Sequence, residues 1–141
     1  MKPKNTSDLQ RELTSAPDLS RFLSENREEF IDHSFSQQLA ELFQRSGLTK
    51  AALAKRASIS EVYLYQIFAG NRLPSRDRTL CLCIALGAQL EETQELLRRS
   101  GYAQLYVKDR RDAIILYGVD RSMGLHEIND KLFAENEATL C

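Results

Sequence analysis

Residues 48–70, LTKAALAKRASISEVYLYQIFAG, leave the chain little choice of local structure. Leu53, Ala54 and Ala57 fall on one side of a short helix that Thr49 can cap. Leu64, Ile67 and Phe68 fall on one side of a second. Ser58-Ile59-Ser60 lies between them, with Ile59 turned inward and Ser60 placed to cap the second helix through its hydroxyl. Gly70 follows the last apolar position, where a residue tolerant of positive φ ends a helix with least strain. The stretch predicts two short helices joined by a tight turn.

Such a pair holds its second helix out from the domain with the N-terminal end prominent, a shape that enters the major groove of DNA. The residues beyond it extend the pattern. Gln66-Ile67-x-x-Gly70, followed by Asn71-Arg72-x-Pro74-Ser75, matches the Q-I-x-x-G-x-x-x-P-S signature. On these residues the stretch resembles the lambda-repressor-like, or XRE-type, helix-turn-helix family. Ala54 matches the small residue that, in that family, lets the two helices cross closely. The resemblance implies an all-α fold built on a five-helix DNA-binding core. Around it the periodicity adds an N-terminal helix and a C-terminal helical hairpin.

The net charge of −1 speaks against nucleic acid only until its distribution is considered. Residues 44–80 hold Arg45, Lys50, Lys55, Arg56, Arg72, Arg76 and Arg78 against Glu61 and Asp77, a net +5, and each flank is −3. A basic centre between acidic flanks is the footprint of a DNA-facing patch. The alternative is ordinary charge alternation on solvated helix faces.

Residues 1–17 are polar without a sustained period and are expected to be a disordered tail. Residues 18–101 are expected to form the helix-turn-helix domain with its preceding helix. Asp18 opens that helix, which carries Leu19, Phe22, Leu23, Phe30 and Ile31, with Glu25, Glu28 and Glu29 outside. It is expected to pack on the side of the core. Ser34 begins the next helix, striped by Phe35, Leu39, Leu42 and Phe43 and ended by Gly47. Ser75 caps a helix with Leu80, Leu82, Cys83, Ile84 and Leu86, ended by Gly87. Another runs from about Glu91 to Gly101 with Leu96 and Leu97 inside. Residues 102–141 hold an apolar connector, then a helical hairpin. Asp109 caps its first helix, with Ala113, Ile114, Leu116 and Tyr117. Gly124 precedes its second, with Leu125, Ile128, Leu132 and Phe133. The hairpin cannot bury its apolar face alone, so it packs on the core or dimerises.

Carried over by register, the resemblance puts Glu61, Val62 and Gln66 where base edges are read. Gln66 can make a bidentate pair with adenine, and Val62 can pack on a thymine methyl. Glu61 can accept from the amino group of cytosine, or simply stabilise a helix N-terminus through the dipole. Phosphate contacts are expected from Lys50, Ser60, Tyr65, Asn71 and Arg72. Tyr63 is an alternative contact or an ordinary surface aromatic. Several family members pair an Arg of the first helix with a Glu near the end of the reading helix. Phe43 and Phe68 stand at those positions here, and the two rings are predicted to touch.

No catalytic order of residues emerges. His126-Glu127 starts like a zinc-protease motif, but Asp130 stands where the second His is needed. His33 lies far from any matching cysteines. Cys81 and Cys83 are two apart on a helix and cannot chelate together, so a core role fits at least Cys83. No cofactor or metal is expected. The N-terminal segment lacks an apolar core for a secretory signal, and no apolar run could span a bilayer. An odd three cysteines fit a reducing compartment. A cytoplasmic protein without enzymatic activity is therefore expected.

The sequence supports a sequence-specific, double-stranded DNA-binding transcriptional regulator. The resemblance adds a bacterial or phage setting and a homodimer. The alternative is a protein-interaction adapter or antitoxin-like module on a helix-turn-helix scaffold, with the C-terminal hairpin as the surface for a protein partner.

Overall fold

A computed structural model describes residues 4–27 and 35–141. Among the described residues every regular element is an α-helix, as the all-α expectation required. Contacts divide the chain into two compact units, Met1–Asp32 and His33–Cys141.

The first unit holds α1 (Thr6–Ser15) and α2 (Leu19–Glu25). Within residues 1–17, expected to be a disordered tail, the structure holds α1, a ten-residue helix capped by Asn5 through the Asp8 amide. It buries no residue, so no apolar stripe announces it. What holds it is polar and distant in sequence. Asn26 is fully buried after α2; its amide donates to Glu12 of α1 at 2.9 Å and its oxygen accepts from Lys4 at 2.7 Å. Lys4 also pairs with Glu12 at 2.8 Å and, with Asn26, holds that carboxyl below the usual carboxylate range. Asp18 caps α2 as expected, and Phe22 is its one buried residue; Leu19 and Leu23 are exposed. The expected stripe residues Phe30 and Ile31 lie outside the described residues. So do Glu28, Glu29, His33 and the helix start at Ser34.

The second unit is built around α6 (Arg76–Leu86). Its central residues Thr79, Leu80, Cys81, Leu82 and Cys83 are all buried, because several helices pack around that part of it. It touches α3 (Phe35–Ser46), α4 (Lys50–Arg56), α7 (Leu90–Arg99) and α9 (Leu125–Ala134). Leu39, Leu53, Leu64, Ile67, Leu80, Leu96 and Leu97 form the part of the core beneath α5 (Glu61–Phe68).

The same cluster continues without a break into Ile115, Ile128 and Leu132 of α8 (Arg110–Asp120) and α9. The hairpin therefore buries an apolar face against its own chain. Gly118 makes the close pairing of α8 and α9 possible, since a Cβ there would sit 2.4 Å from Ile128 Cγ1. Leu140, beyond α9, returns to the same core.

The local predictions of helix ends hold. Thr49, Ser60, Ser75 and Asp109 each accept a backbone N–H three residues on. The helix expected from about Glu91 begins at Leu90, behind a Gln89–Glu92 capping box. Gly70 has φ +78°, and the Asn71 amide beyond it returns to the Gln66 carbonyl at 2.9 Å.

Candidate nucleic-acid interface

The turn between α4 and α5 fixes the aim of α5. Ala57 and Ile59 tuck toward the core, and the Ile59 amide bonds the Ala54 carbonyl at 3.0 Å. Ser58 between them takes φ +56°, a left-handed conformation that a non-glycine residue adopts at some strain. That detail was not visible in the sequence. Leu64 and Ile67 then anchor α5 from below with no exposed surface, which turns Glu61, Val62 and Tyr65 outward. Val62 is 69% exposed and Tyr65 52%, more than an apolar or aromatic side chain needs for packing.

Of the expected base readers, Glu61 lies in the first turn of α5, exposed, where its charge suits the helix dipole. Gln66 is half-buried, and its side-chain amide meets no partner among the described residues. Of the expected phosphate ligands, Lys50 and Tyr65 come together, the ammonium lying 4.7 Å from the ring centroid. The same ammonium is 5.4 Å from the Phe68 ring. Phe68 in turn meets Phe43 with centroids 5.1 Å apart at 56°, as predicted. The apolar pair ties α3 to α5 without a buried charge. Asn71 and Arg72 are exposed just past Gly70. Ser60 caps α5 as expected. Its oxygen accepts the Tyr63 amide at 3.1 Å, which leaves the hydroxyl proton for a phosphate.

The basic patch is smaller than its sequence suggests. Arg45 forms a two-pronged pair with Glu92 at 2.7 and 2.8 Å, which depresses the Glu92 carboxyl. Arg76 is folded inward onto buried Asp112 at 3.0 and 3.2 Å and onto the carbonyls of Ala103 and Gln104. Lys50, Lys55, Arg56, Arg72 and Arg78 remain without a carboxylate partner among the described residues. Lys50 lies on Tyr65, and the other four fall into two groups. Lys55 and Arg56 line a cleft of about 480 Å³ with Ile84, Leu125 and His126. Arg72 and Arg78 flank Tyr63, with guanidinium carbons 6.0 and 4.8 Å from its centroid.

Arg78 is thus a candidate contact that the sequence alone did not single out; only its inclusion in the charge run hinted at it. A second is Arg111. It takes Asp77, the acid beside Arg76 and Arg78, at 3.0 and 3.1 Å. The hairpin in this way removes an acidic group from the basic side of α6.

Among the described residues no group of three or more His, Cys, Asp and Glu side chains could hold a metal ion. Cys81 and Cys83 are both fully buried. No described helix is long and apolar enough to cross a membrane.

Residues 34–96 match the model of a family described as a helix-turn-helix domain. The span takes in α3 to α6 and most of α7. No curated protein and no solved structure matches the chain. Residues 34–96 are therefore similar to a helix-turn-helix domain, a kind of domain that implies DNA binding.

Proposed function

We propose that the protein is a sequence-specific, double-stranded DNA-binding transcriptional regulator of the XRE type, cytoplasmic and without enzymatic activity. It acts in a bacterial or phage setting as a homodimer on a palindromic site, with half-sites about one helical turn apart. One observation carries the reading. The outer face of α5 is exposed, and among the described residues no carboxylate takes the cations that rim it.

In this reading Gln66 and Val62 choose the sequence, through an adenine edge and a thymine methyl. Glu61 either accepts from a cytosine or only steadies the start of α5. Lys50, Ser60, Tyr65, Asn71 and Arg72 hold the phosphate backbone, joined by Arg78. Lys50 lies along Tyr65, so its charge is presented beside a flat apolar surface rather than loose in solvent.

The test is selection of bound duplexes from a random pool at two salt concentrations. An enriched inverted repeat that Gln66→Ala weakens supports the reading. No retention at low salt overturns it.

A second reading, an adapter or antitoxin-like module, is favoured by one feature of the hairpin. Ala113, Ile114, Tyr117 and Ala134 line a groove of about 470 Å³, and Phe133 on the same hairpin is 77% exposed. Docking there would resist added salt, whereas phosphate binding falls steeply with it.

A further inference from the structure

The chain just before Cys141 returns to Cys81 across 60 residues of sequence. Cys81 is buried in α6, its Sγ 3.8 Å from the carbonyl of Leu140. The residue that follows, Cys141, is exposed. Asn129 of α9 clasps this part of the chain from one side. Its oxygen accepts the Leu140 amide at 2.8 Å and its amide reaches Cys141 Sγ at 3.1 Å. Arg111 of α8 holds it from the other, donating to the carbonyls of Ala138 at 2.8 Å and Thr139 at 3.1 Å. Residues 138–141 are therefore laid along α6 with one thiol beneath and one at the surface. Burial first, and then the adjacent Cys141, push the Cys81 thiol up to about 12. Cys83, equally buried, has no second thiol acting on it.

We propose that Cys81 and Cys141 are a redox pair that closes to an intramolecular disulfide on exposure to a peroxide, fastening residues 138–141 to α6. The exposed sulfur is the one oxidised first. The Cys141 thiolate attacks one peroxide oxygen, the S–O bond forms, the O–O bond breaks, and the hydroxide released takes a proton to become water. The Cys81 sulfur then attacks Cys141. The S–S bond forms, the S–O bond breaks, and the departing hydroxide leaves with the Cys81 proton as a second water. Two thiols supply two electrons, and hydrogen peroxide ends as two waters. Burial keeps Cys81 protonated and slow toward peroxide, so the exposed Cys141 reacts first.

The bond has a structural consequence. Arg111, which clasps residues 138–139, also holds Asp77 at the start of α6. Closing the pair would join residues 138–141 covalently to α6, beside the hydrogen bonds by which Arg111 already holds them.

The test treats the full chain with a few equivalents of hydrogen peroxide, then counts free thiols and maps tryptic peptides. Free thiols should fall from three to one per chain and return with dithiothreitol. Residues 79–98 should appear joined to residues 132–141. The Cys83→Ala chain should give the same joined peptides, which assigns the bond to Cys81. Cys141→Ser should keep its two remaining thiols. The oxidised chain should melt at least about 5 °C above the reduced one, because a long loop is closed in the unfolded state. The proposal is overturned if Cys141 goes to sulfinic acid or cross-links two chains while Cys81 stays a free thiol.

Discussion

The chain contains two helical pairs of similar size, α4 with α5 and α8 with α9, and they use their arginines and lysines in opposite ways. The arginines of the α8–α9 hairpin are paired. Arg110 pairs with Glu135 at 2.7 Å, Arg111 with Asp77 at 3.0 Å, and Arg121 with Asp120 at 3.8 Å. Around α4 and α5, Lys50, Arg72 and Arg78 rest against aromatic rings and meet no carboxylate among the described residues. A cation over a ring keeps its charge available to a phosphate, whereas one in an ion pair has already given it up. Counting basic residues does not separate the two pairs. Tracing where each charge ends does.

The largest effect should come from the place where the two regions meet. Asp112 of α8 is buried and accepts from Arg76 of α6 and from the Tyr106 amide at 3.0 Å. Asp112→Ala strands both donors. Urea unfolding should show a loss of about 2–4 kcal/mol, reduced from a fully buried pair because Arg76 keeps some solvent. Should stability fall by much less, the hairpin is not tied to α6 as described.

Next in size is Gln66→Ala, which touches only the reading face. It should weaken binding to the selected duplex by about 1–3 kcal/mol and leave random-sequence binding almost unchanged. Titration of both duplexes by fluorescence anisotropy measures the difference. Ser60→Ala removes the cap of α5 and should cost about 1 kcal/mol of stability by chemical denaturation. The smallest expected change has the opposite sign. Ser58→Gly relieves the left-handed turn residue and should raise stability by about 0.5–1 kcal/mol, unless flexibility gained in the unfolded chain cancels it.

The helix-turn-helix was legible because its determinants are local. Caps at Thr49, Ser60 and Ser75 act over three residues, and the apolar positions of α4 and α5 repeat within two turns. Register then carried the Phe43–Phe68 contact, although 25 residues separate the two rings. What stayed hidden depends on polar partners far apart in sequence. Arg45 meets Glu92 across 47 residues and Arg76 meets Asp112 across 36, so the charge run counted both as surface. Helix α1 escaped for the same reason. Its ties run through the amide of Asn26, not through an apolar stripe. The hairpin's apolar face was readable from Ile128 and Leu132, but that it continues the core became clear only from the folded chain.

The most direct test of the contrast between the two pairs is the salt dependence of duplex binding. Affinity would be measured across a salt series for the native chain, Arg72→Ala and Arg110→Ala. The account predicts that Arg72→Ala lowers the slope of log affinity against log salt by about 1, while Arg110→Ala leaves it unchanged. Equal slopes for all three, or a loss confined to Arg110→Ala, would contradict it.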